Sequence, residues 1–98
     1  MLKDLISQDP NNQLARYGLA MEYSGKGEVD ASVSEFKKLI EINPDYANAY
    51  FMAAKALAKA ERSDEAKQLL RQGITAAARS GNSHAQNEMQ AFLEELEY

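Results

Sequence analysis

The residues able to do chemistry in this chain are few and scattered. His84 is the only histidine, and there is no cysteine. One imidazole with no thiolate and no second imidazole makes neither a metal-ligand set nor a nucleophile–base relay. His84 falls in the first turn of a helical segment, where an exposed surface role is the simpler reading. Gly25-Lys26-Gly27 brackets a lysine with glycines, but it is too short for a phosphate-cradling loop and follows a helix rather than a strand. The C-terminus, Glu94-Glu95-Leu96-Glu97-Tyr98, crowds acid at a helix end. There it opposes the helix dipole by about 0.3–1 kcal/mol. It reads as a solvated end, or as a tail that meets Lys55 and Lys59 of another copy. The expectation is therefore no enzyme, no cofactor and no metal.

The elements behind these residues repeat. A shift of 34 residues lays Asp9-Pro10 on Asn43-Pro44 and Ala20 on Ala54. It puts Leu2, Phe36 and Leu70 in one column, Ile6, Ile40 and Ile74 in a second, and Lys3, Lys37 and Arg71 in a third. A fixed period of this length marks a solenoid, in which each unit buries its apolar side by stacking on the next. Such a frame presents binding surface rather than a catalytic centre. With 98 residues the chain is one domain of modest stability. Its net charge of −4 argues against nucleic acid, which needs clustered Lys and Arg. The apolar run Ala49–Ala54 is far short of the ~18 residues that suggest a membrane span. Asp4, Asp9 and Pro10 interrupt any signal-peptide core. A cytoplasmic location is the expectation.

Prolines and glycines divide the chain into helical segments, and no strand pattern appears. Leu2, Leu5 and Ile6 form a first stripe that Pro10 ends. Leu14, Tyr17, Leu19, Ala20 and Tyr23 follow at helical spacing up to Gly25-Lys26-Gly27. A helix over 29–42 ends at Asn43-Pro44-Asp45, with Asp45 expected to cap the next, Ala-rich helix. Ser63-Asp64 is expected to cap the helix carrying Ala66, Leu69, Leu70 and Ile74, and Gly81 to end it in the left-handed conformation. Ser83 and Gln86 have capping-box spacing for a last helix.

These residues resemble the tetratricopeptide repeat: an aromatic, Leu-Gly, Tyr, then Ala, Phe and Pro at fixed offsets. The first repeat reads Arg16-x-x-Leu19-Ala20-x-x-Tyr23, Ser32-x-x-x-Phe36 and Pro44. The second reads Tyr50-x-x-Ala53-Ala54-x-x-Leu57, Ala66-x-x-x-Leu70 and Ala78. Arg16 departs from the aromatic, Ala20 and Ala54 from Gly, Ser32 from Ala, and Ala78 from Pro. The resemblance implies an all-α, antiparallel helix-hairpin solenoid with a right-handed superhelical path. It divides the chain into a partial helix over 1–10, repeats over 11–44 and 45–80, and a capping helix over 82–97.

It also implies a function, since the family is a protein-interaction scaffold whose first helices line a concave groove. By position, that groove holds Leu14, Tyr17 and Met21 from one repeat, and Asn48, Phe51, Met52, Lys55 and Lys59 from the next. Asn11, Ser24 and Asp45 complete the lining from these two repeats, and the capping helix adds Gln86 and Gln90. Tyr17 and Phe51 share a column, which would set their rings side by side. One carboxylate, Asp45, leaves no pair for acid–base work. Some family members clamp a chaperone's C-terminal carboxylate with Lys, Asn and Arg. Here the corresponding positions hold Tyr17, Met21, Met52, Asn82 or Ser83, and Gln86, so that ligand is not expected. The expected partner is a protein or peptide. The alternative is self-assembly, as a homodimer or larger, with the groove filled by another copy. Tyr17, Met21, Phe51 and Met52 also admit a second reading, as core.

Overall fold

The computed structural model describes residues 2–98. Six helices follow one another: α1 (Leu2–Gln8), α2 (Gln13–Gly25), α3 (Val29–Ile42), α4 (Ala47–Lys59), α5 (Ser63–Arg79) and α6 (Ser83–Leu96). No strand occurs among the described residues. Each helix packs on the next, and α4 also touches α6. The result is an all-α stack of antiparallel hairpins, 41 × 30 × 16 Å in extent. The even-numbered helices form one layer and the odd-numbered helices the other.

The turns show why the chain reverses where it does. Gly27 and Gly81 hold φ of 76° and 73°, in the left-handed region open to glycine. Glu61 takes the place of Gly27 one period later and is forced to φ 63°. Asn12 Oδ1 accepts from the Ala15 N–H at 3.0 Å and so starts α2. Asn82 Oδ1 accepts from the Ala85 N–H at 3.1 Å and starts α6. Three expected caps move. Asn82, not Ser83, caps the last helix. Tyr46 rather than Asp45 stands at the N-cap of α4, because the Asp45 carboxylate is held by Arg79 Nε at 2.9 Å. Ser63 is already helical, and Arg62 precedes it with no side-chain cap.

Small residues set the spacing between layers. Ala20 and Ala54 are fully buried, as are Phe36, Leu39, Leu70 and Met89. Seven residues of α4 are buried, five of them alanines. Gly73 marks the closest approach. A Cβ there would lie 2.6 Å from both Tyr50 Cβ and Met89 Sδ. Ser32, where the repeat pattern has Ala, is fully buried and donates its hydroxyl to the Ala20 carbonyl at 2.8 Å, so its polarity is satisfied. α1 has no buried residue and leans Leu2 against Gly18.

Candidate protein-interaction surface

The even-numbered layer carries the eight expected contact residues, and they divide by exposure. Leu14 is 77% exposed, the most exposed of the apolar side chains among the eight. Asn48, Lys55 and Lys59 are exposed. Tyr17, Met21, Phe51 and Met52 are half-buried and pack against the core cluster. They therefore have a structural role as well as an exposed face.

The expected pairing of Tyr17 with Phe51 gives way to two separate clusters. Tyr17 meets Phe36 edge-on and Tyr46 in a stack, each with centroids 5.8 Å apart. Phe51 meets Phe92 of α6 edge-on at 6.0 Å. The Lys55 ammonium lies over the Phe51 ring at 4.3 Å. Tyr46 and Phe92 lie outside the columns that define the repeat, so the period could not point to them. Burial, and secondarily Tyr46, raises the Tyr17 pKa above its usual value. Between the C-terminal ends of α2 and α4 lies a dent of about 270 Å³, lined by Ser24, Gly27, Val29, Ala56, Lys59 and Ala60. A second dent, of about 350 Å³, lies between α3 and the start of α5 among Asp30, Lys37, Lys38, Glu41, Arg62 and Glu65. Its charges are largely matched, with Arg62 on Asp30 at 2.6 Å and on Glu65 at 2.8 Å.

One departure from the repeat pattern keeps the structural role of the residue it replaces. Arg16 replaces the aromatic of the repeat, yet its Nη2 donates to the Pro10 carbonyl at 2.9 Å. One period later, the Tyr50 hydroxyl donates to the Pro44 carbonyl at 2.7 Å. Both side chains hook the carbonyl six residues back and fix the turn into the first helix of each repeat. Arg16 Nη1 also meets Glu35 at 2.8 Å, both residues being 8% exposed, and Lys38 reaches the same carboxylate at 3.2 Å. Arg16 Nε is buried with no partner. Glu35 falls in the column of Leu69, so a buried ion pair here stands where the second repeat has Tyr50 and Leu69. The signal lies in the sequence as two coincident differences between the repeats, Arg16 against Tyr50 and Glu35 against Leu69.

His84 lies on the surface, 3.1 Å from Glu88. No group of three potential metal ligands gathers among the described residues. No helix of the described chain is long and apolar enough to cross a membrane.

Short turns of three or four residues, paired antiparallel helices and small residues at the crossings define a helical-repeat protein, a class generally used for protein–protein interaction. The chain belongs to the tetratricopeptide repeat family, whose model matches residues 23–91. It is 28% identical over 96 residues to a TPR repeat-containing protein of Pseudomonas aeruginosa, covering 98% of this chain and 91% of that one. The solution structure of a tetratricopeptide repeat domain protein from Salinibacter ruber superposes with a TM-score of 0.82 at 29% identity, covering 91% and 90% of the two chains. The type III secretion translocator chaperone SycD of Yersinia enterocolitica shares the fold, with a TM-score of 0.87 at 16% identity over 98% of this chain and 74% of that one.

Proposed function

We propose that this chain is a non-catalytic scaffold that binds a protein or peptide along the α2–α4–α6 layer, and that it works in the cytoplasm. In this reading the repeats run over 11–44 and 45–80, a partial helix over 1–10 precedes them, and a capping helix over 82–97 closes the stack. The observation that carries it is Leu14. At 77% exposed this side chain contributes little to the core, and its weight comes from the neighbours it stands with. It stands in a row with Tyr17 and Met21, at spacings of three and four residues, which presents one apolar strip along α2.

Leu14 also supplies the test, because its side chain can be changed without touching the fold. Affinity capture from lysate is compared for the wild type, Leu14→Asp and Arg71→Asp, the last an exposed residue of α5. Bound partners should be lost with Leu14→Asp alone, while all three melt alike by circular dichroism. Equal capture by all three proteins sinks the groove. Light scattering across concentration separates a foreign partner from self-assembly. A chain that stays monomeric leaves the groove for a foreign ligand.

A further inference from the structure

The charge of the groove runs against that of the chain. There are 15 acidic and 11 basic residues in all. Yet the one acid of the groove, Asp45, is paired with Arg79, and two of the eight principal positions are lysines, Lys55 and Lys59. They lie one helical turn apart on α4, both exposed. Neither forms an ion pair among the described residues, where the Lys and Arg pairs run instead through Arg16, Lys38, Arg62 and Arg79. Lys55 rests on the face of Phe51, an arrangement that holds the ammonium in place and leaves its charge for an outside partner. Lys59 edges the dent of about 270 Å³ whose other lining side chains are small: Ser24, Gly27, Val29, Ala56 and Ala60.

We infer that the occupant of the groove is an acidic–apolar peptide segment. It places a carboxylate between Lys55 and Lys59, and an aliphatic side chain in the dent beside Lys59. This rests on the groove reading above and adds to it the chemistry of the partner. The two features are adjacent, so one or two neighbouring residues of an extended ligand satisfy both. The loops beyond the dent carry exposed Glu28 and Glu61, which repel acid there. The carboxylate therefore belongs on the Lys55 side of the dent. At the other wall, Leu14 and Tyr17 accept further apolar side chains.

Selection of random peptides displayed on phage, against immobilised full chain, tests this directly. The wild type should enrich sequences that pair Asp or Glu with Leu, Ile or Val. The double variant Lys55→Glu, Lys59→Glu should enrich Lys or Arg in place of the acids. For a synthetic copy of a selected peptide, fluorescence polarisation should show about two- to fivefold weaker binding for Lys55→Ala and for Lys59→Ala. Salt raised from about 0.05 to about 0.5 M should weaken binding to the wild type more than to the double alanine variant. Ala60→Leu, which fills the dent from an exposed position, should discriminate against the aliphatic residue. Circular dichroism melts confirm that each variant is folded. Selected peptides that lose affinity with Leu14→Asp, but carry no acidic bias and ignore both lysine changes, overturn the partner chemistry and leave the groove standing. Peptides indifferent to Leu14→Asp as well, or no enrichment at all, overturn the groove reading and this inference with it.

Discussion

Arg16 and Glu35 offer the sharpest test of how the first repeat is held. In repeat two the same columns hold Tyr50 and Leu69, so nature has supplied the apolar replacement. Glu35→Leu leaves a guanidinium 8% exposed, with one carbonyl partner and a buried Nε that has none. Removing one member of a buried ion pair costs about 3–5 kcal/mol. Arg16→Tyr is milder, since Glu35 keeps Lys38 at 3.2 Å and the new hydroxyl can take the Pro10 carbonyl as Tyr50 takes that of Pro44. Its cost should be about 1–3 kcal/mol. The double variant rebuilds the Tyr–Leu pair and should lie within about 1 kcal/mol of the wild type or above it, because apolar replacements of buried ion pairs are often neutral or stabilising. The cycle then gives a coupling of several kcal/mol, well outside the additivity of independent sites. For a domain of this size about 3 kcal/mol moves the melting midpoint by roughly 12–24 °C. Urea denaturation followed at 222 nm reads all four proteins. If Glu35→Leu costs under about 1 kcal/mol, or the double variant is merely the sum of the two single ones, the pair does not hold the repeat together and the argument fails.

Three further outcomes are expected. Glu61→Gly relieves a non-glycine residue at φ 63° and should raise the stability by about 0.5–1 kcal/mol in urea titrations, whereas Gly27→Ala, at φ 76°, should lower it by a similar amount. Gly73→Ala should destabilise by about 1–3 kcal/mol despite its better helix propensity, because Tyr50 Cβ is tied to the backbone and cannot retreat from a contact of 2.6 Å; a neutral or raised midpoint would refute that close approach. Tyr17 and Tyr50 hold their protons more tightly folded than unfolded, chiefly through burial, so their contribution is fully present below the usual tyrosine pKa and is lost as pH rises through the raised value. Stability measured at rising pH should fall above about pH 10, and less steeply in Tyr17→Phe.

The repeat was legible because identity at a fixed offset survives whatever each residue does locally. Leu2, Phe36 and Leu70 announce the same place three times, and Gly81 ends its helix as its chemistry requires. Partners set by packing were not legible. Phe92 comes to Phe51 from a helix one residue out of register, and Tyr46 comes to Tyr17 from a loop. Asp45 looked like a cap because its neighbours invite one, but Arg79, 34 residues away, competes for the same carboxylate and wins. Leu14 was placed in the groove by its column, and only the structure separates it, by exposure, from the half-buried Tyr17 and Met21.

Gly73 bears on whether these units are interchangeable. At the junction of the two repeats stand Leu39 and a small residue, Ala54; at the junction with α6, Gly73 takes the column of Leu39, and the large Met89, on a helix one residue out of register, takes the place of Ala54. Bulk has crossed from one helix to the other, and the gap a glycine leaves is filled by the thioether. The capping helix is thus cut to fit one neighbour. Placed behind a duplicate of the first repeat, Met89 would confront leucine, and the array could not be lengthened by inserting that unit before its end. A sequence that looks modular when read in steps of 34 is, at its last joint, a lock with a single key.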